Sequence, residues 1–227
     1  MHERYLPLST RNTALAFIVL ALPSLLFTAE ITSFMGVLIR IIPVLFLLYI
    51  STFALRGLHR SMVSLGLVFF IVAVFLRIYL EPGGFLGWAS AIMMGFLCYG
   101  ISFWRYATLQ WKQCLKVVAP VAILYLSQFW NASTYEAYMP AIWAMASVAT
   151  FTALGAAMHK NPSGMIFWGG SLLLLSLVNF QKNYNGYLPS MTLEYVMLPY
   201  YAGQALVVFG YFNYQRSTFG GAAYADQ

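Results

Sequence analysis

The stretch FMGVLIRIIPVLFLLYISTFAL, Phe34 to Leu55, decides how this chain folds. It holds one charge, Arg40, among aliphatic and aromatic residues, and it is long enough to cross a bilayer, whose hydrocarbon takes about 20 mostly apolar residues in a helix. Beyond the break at Gly57 a second run of the same kind follows. Working outward, apolar runs between polar breaks give spans at 13–29, 34–55, 61–80, 84–104, 114–130, 137–158, 164–180 and 193–214, with boundaries set to within about 2 to 4 residues. The breaks have local causes in Gly57, Pro82-Gly83-Gly84, Asn161-Pro162-Ser163-Gly164 and Asn185-Gly186. The expectation is an all-α integral membrane protein, a bundle of about eight transmembrane helices forming one domain over residues 1–227.

Composition agrees, since 61% of the residues are hydrophobic and only 8% are charged, too few to solvate the surface of a soluble domain. The net charge of +6 does not point to nucleic acid, because the basic residues are scattered between apolar runs rather than gathered on one face. They act instead as topology signals. With the amino terminus inside, Arg4, Arg11, Arg56, Arg60, Arg105, Lys112, Lys116, Lys160 and Arg216 are cytoplasmic, nine of the 12 basic residues, while Arg40, Arg77 and Lys182 lie towards the other side. Glu30, Glu81, Glu136 and Glu194 fall outside, and Glu3 and Asp226 inside. Both termini are therefore expected in the cytoplasm, with a short segment 1–12 before the first helix and a mobile tail from about Ser217.

The first apolar run follows Arg4 and Arg11 as a signal peptide's would, but it lacks a convincing small-residue cleavage site and reads as a retained helix. Trp104, Tyr106 and Trp111 on one side, and Trp130, Tyr184, Tyr187 and Tyr195 on the other, sit at span ends as headgroup anchors. Pro23, Pro43, Pro120, Pro140 and Pro199 fall within or at the start of spans, where they predict kinks rather than ends. Cys98 and Cys114 read as packing residues. His2, His59 and His159 fall at the terminus or in loops, with no metal-ligand spacing, so neither a metal nor a cofactor is expected.

Four segments, in order along the chain, resemble the YhhN family, whose members include lysoplasmalogenases. They are Arg40-Ile41-Ile42-Pro43, like the family's basic-x-x-Pro; Phe96-Leu97-Cys98-Tyr99, like its fourth-helix motif ending in Tyr; Gly169-Gly170-Ser171 through Ser176; and Tyr201-Ala202-Gly203-Gln204, like its Tyr-x-x-Gln. The resemblance runs from about Ile31 to Tyr211 and implies the family's helical fold and hydrolysis of lysophospholipid vinyl ethers. Val74-Phe75 and Ser176-Leu177 stand where the family carries Gly-Asp and Ser-Asp, and Phe96 stands where it often has His.

Vinyl-ether hydrolysis calls for an acid to protonate the enol ether and a base to activate water. No Asp lies inside a span, which leaves Glu194, at the start of the last helix, as the candidate acid. An Arg inside a span normally faces a partner or a wet cavity. Arg77 has Glu81 one turn on, whereas Arg40 lies deeper, with Glu30, Glu136 or Glu194 as candidate partners. Arg40, Tyr99, Ser176, Tyr201 and Gln204 form the expected substrate-binding set, for a membrane lipid or lysophospholipid. Two functions remain open: an ether-lipid hydrolase with altered catalytic residues, and a non-catalytic relative that binds a lipid or supports a membrane-protein partner. The expected location is a plasma membrane, the inner membrane of a bacterium.

Overall fold

The computed structural model describes residues 10–26, 34–79, 84–104, 163–184 and 194–224. Within them the chain is helical except at Leu55 and Arg56. The helices are α1 (Thr10–Leu26), α2 (Phe34–Ala54), α3 (Gly57–Tyr79), α4 (Gly84–Trp104), α5 (Ser163–Tyr184) and α6 (Glu194–Tyr224). These match the expected runs within a few residues at most ends. The spans expected at 114–130 and 137–158, with Pro120 and Pro140, lie outside the described residues.

Two boundaries differ in ways that matter. α3 begins at Gly57 rather than near residue 61, so His59 lies in a helix and is buried, not in a loop as its charged neighbours suggested. The last helix continues through Gly220-Gly221 to Tyr224, well past the end that its apolar pattern marks. Two glycines in an otherwise helix-forming segment weaken a helix without ending it. Pro23, Pro43 and Pro199 all lie inside helices, as expected.

The turn between α2 and α3 is tight because Gly57 takes a left-handed backbone conformation, φ 59°, that strains any residue with a Cβ. It folds α3 back against α2, where Ser51 and Ser64 meet at 2.8 Å. α3 packs chiefly on α4 and α5 on α6, while α2 touches α1, α3 and α6. Small residues set these distances. A Cβ on Gly203 would stand 2.8 Å from the Gly169 carbonyl oxygen, and one on Gly66 would stand 2.6 Å from the Tyr99 ring. Bare backbone at these positions brings the helices close enough for dispersion contacts to accumulate.

α2 and α3 are long and apolar enough to cross a membrane. Each carries two apolar faces. Val37, Ile41, Val44 and Leu47 of α2 face inward, while Ile42, Leu45, Tyr49 and Phe53, at the same helical spacing, are exposed. In α3, Val63, Leu67 and Phe70 are buried and Leu65, Val68, Val72 and Phe75 exposed. Polar side chains would cover the outer face of a helix in water, and here that face is as apolar as the inner one.

Candidate functional site

α6 supplies the spine of the site. Tyr201 and Gln204, three residues apart on one face, are both buried against the other helices. The Tyr99 hydroxyl, from α4, donates to Oε1 of Gln204. The Tyr201 hydroxyl donates to the backbone carbonyl of Arg40 at 2.9 Å, in the turn of α2 that Pro43 perturbs. Ser24 of α1 reaches the same phenol, its own hydroxyl donating to the Ala21 carbonyl at 2.6 Å. Residues separated by more than a hundred positions in the chain are thus joined by direct hydrogen bonds.

Arg40 is 7% exposed. Glu194 is the only acidic residue in the described helices, and its backbone opens α6; the description does not extend to its side chain. Among the described residues no carboxylate side chain pairs with the guanidinium. Gln204 is fully buried, and its Nε2 has no hydrogen-bond partner. The aromatic walls of this region are Phe70, whose ring meets those of Tyr99 and Tyr200 edge-on at 5.5 and 6.0 Å, and Phe96 at 5.3 Å.

Of the expected binding set, the structure joins Tyr99 of α4 to Gln204, and Tyr201 to the backbone carbonyl of Arg40 in α2, by two separate hydrogen bonds on neighbouring turns of α6. Ser176 is buried too but serves differently. Its hydroxyl donates to the Val196 carbonyl at 2.7 Å, pinning α5 to the first turn of α6. The side chains of Arg77 and Glu81 lie outside the described residues, as do Glu30 and Glu136.

A second polar cluster lies at the other end of α6. His59 Nδ1 and the Ser102 hydroxyl are 2.7 Å apart, and the His59 ring lies over Tyr211 with centroids 4.4 Å apart. One turn on, Gln215 brackets the α2–α3 turn, accepting from the Arg56 N–H at 2.8 Å and donating to the Arg56 carbonyl at 3.1 Å. A trace of this was present in the sequence. Tyr201, Gln204, Tyr211 and Gln215 follow spacings of three, seven and four, one face of a helix, and mark a polar seam along an apolar run. What hid it was placing His59 in a loop.

Among the described residues, no three His, Cys, Asp or Glu side chains gather as a metal site would require. Compared with known protein families, curated proteins and solved structures, the chain finds no match.

Proposed function

We propose that this protein is a multi-pass membrane protein of the YhhN type, with about eight spans and both termini in the cytoplasm of a bacterial inner membrane, and that it hydrolyses the vinyl ether of lysophospholipids. The observation that carries the reading is the meeting of the motif residues. Arg40 of the basic-x-x-Pro segment, Tyr99 of the fourth helix and the Tyr201-x-x-Gln204 pair come from three helices and are tied by the Tyr99–Gln204 and Tyr201–Arg40 bonds. The outward apolar faces of α2 and α3 support the membrane setting.

In this reading the amphiphile enters between the helices with its anionic headgroup at Arg40, whose buried cation favours a phosphate. Glu194 is the acid. It gives a proton to the vinyl carbon remote from the ether oxygen; the ether oxygen stabilises the resulting oxocarbenium ion; water adds to the carbon bonded to that oxygen and loses a proton. The hemiacetal then collapses, its carbon–oxygen bond to glycerol breaking, to release a fatty aldehyde and the glycerophospho headgroup. The experiment is to follow aldehyde release from a lysoplasmalogen by purified protein in nanodiscs, with Glu194→Ala as the control. Release that depends on Glu194 supports the assignment, and no release from folded, monodisperse protein ends it.

One observation favours a second reading, a lipid-binding relative without the reaction or a scaffold for a membrane-protein partner. The described part of the polar cluster contains no carboxylate side chain, and Val74-Phe75 and Ser176-Leu177 occupy the positions where the family's acids stand. Saturable lysolipid binding without aldehyde release decides for it.

A further inference from the structure

α1 carries a charge at one end of an exposed apolar stripe. Arg11, Leu15, Ile18 and Leu22 follow one another at spacings of four, three and four, which sets them on one face of the helix, and all four are exposed. The eleven residues from Arg11 to Leu22 rise about 16 Å. That is close to half the hydrocarbon thickness, about 15 Å, the depth that the chains of one leaflet fill. The stripe thus has the outline of a phospholipid, charged at the head and apolar for the length of a chain.

The neighbouring helix adds a second cation at the same level. Ser24 of α1 reaches the Tyr201 phenol, and Phe17 meets Phe209 edge-on at 6.3 Å, so α1 and α6 run antiparallel, seven residues of one against eight of the other. Continuing outward from Phe17 and Phe209, Arg11 comes after six residues and Arg216 after seven, rises of about 9 and 10.5 Å. A step of seven returns Arg216 to the face that Phe209 turns to α1. Arg216 is exposed as well. Its neighbour Gln215 holds the Arg56 backbone, and the Arg60 N–H donates to the Arg56 carbonyl at 3.4 Å, so two more arginines stand at this end of the bundle.

Acids cannot balance this charge throughout the chain, which has 12 Lys and Arg against 6 Asp and Glu. Glu194 opens α6 at its other end, 22 residues or about 33 Å from Arg216. We propose that Arg11 and Arg216 hold the headgroup of an anionic phospholipid, a phosphatidylglycerol being the simplest, whose acyl chain lies along Leu15, Ile18 and Leu22. Basic side chains at a helix end draw such lipids from a mixed bilayer, and an apolar stripe below them seats the chain. The proposal shares only the membrane setting with the hydrolase reading. Its site is a different one: Tyr201, bonded to the Arg40 carbonyl, precedes Gln215 by 14 residues, about 21 Å along α6.

The test uses the full chain in a neutral detergent, titrated with dioleoylphosphatidylglycerol or dioleoylphosphatidylcholine and read by native mass spectrometry. The first lipid bound is expected to be the phosphatidylglycerol by a preference of about tenfold. Arg11→Gln combined with Arg216→Gln brings the two lipids to within about twofold, and the same pair changed to Lys keeps the preference, because the headgroup is met by charge. A phosphatidylglycerol with a diazirine in its acyl chain labels residues 15–22 on irradiation. Glycerophosphoglycerol, the same headgroup without chains, fails to compete at equal concentration. Equal binding of the two lipids, a preference that survives the Gln pair, or label confined to other helices overturns the proposal. Competition by the bare headgroup as strong as by the lipid also overturns it, leaving an anion site with no seat for a chain. No step depends on aldehyde release, so a protein that hydrolyses nothing still gives this result, and failure here leaves the hydrolase reading to its own assay.

Discussion

Replacing Gly203 by Ala tests whether the α5–α6 contact depends on bare backbone. The added methyl would lie 2.8 Å from the Gly169 carbonyl oxygen, 2.8 Å from Leu173 Cγ and 2.9 Å from the Leu173 amide nitrogen. Two of these three are backbone atoms of α5, which no side-chain rotation can move aside. To reach even 3.4 Å, the near edge of ordinary contact, the helices must separate by about 0.6 Å along their crossing. That loosens the Ser176–Val196 bond and the packing of Leu173 and Val207, which lie on the same interface. Overpacking of this kind costs about 1 to 3 kcal/mol, and the backbone neighbours place this case at the upper end. Gly164, near the start of α5, is the matched control, because a Cβ there meets nothing within 4 Å. Its replacement by Ala should be neutral or slightly stabilising through helix propensity, by at most about 1 kcal/mol. Equilibrium unfolding of purified protein by SDS titration in mixed micelles measures both. Should Gly203→Ala unfold at the same SDS fraction as Gly164→Ala, close backbone approach is not what holds this pair together.

Three further outcomes follow from the hydrogen bonds and charges. Tyr99→Phe should cost about 1 kcal/mol in the same unfolding measurement, and a double-mutant cycle with Gln204→Leu should return a coupling of about 0.6 to 1.7 kcal/mol; a coupling near zero removes the bond from the account. Gln215→Ala loses both bonds to the Arg56 backbone and should destabilise by about 1 to 2 kcal/mol, with faster amide exchange at the α2–α3 turn; unchanged exchange there would mean the turn holds without Gln215. Arg40→Leu removes a buried cation without a described acidic partner, so thermal stability in detergent should hold or rise while binding of a lysolipid phosphate falls about tenfold or more. Lost stability with intact binding would make Arg40 a structural residue.

The helices were legible because lipid and packing both select apolar side chains, and runs such as Phe34–Ala54 leave no other reading. Their ends were less so. His59 shows why: charged neighbours suggest a loop, and its contacts with Ser102 and Tyr211 override that local preference. Arg40, Tyr99, Tyr201 and Gln204 stood out as polar residues in apolar runs; Tyr99 bonds Gln204, and Tyr201 bonds the Arg40 backbone carbonyl. Ser176 stood out by the same signal and instead binds a helix carbonyl.

By itself, the sequence determined that this chain is helical and that its helices carry apolar residues on every side, because hydrophobicity and helical period are local properties of the residues themselves. Only the tertiary structure decided which polar residues share a site. Whether Ser176 faces Val196 or the Gln204 cluster depends on how α5 and α6 are rotated about their axes. That rotation is set by the contact of Gly169 with Gly203, and the spacing of polar residues within either helix does not contain it.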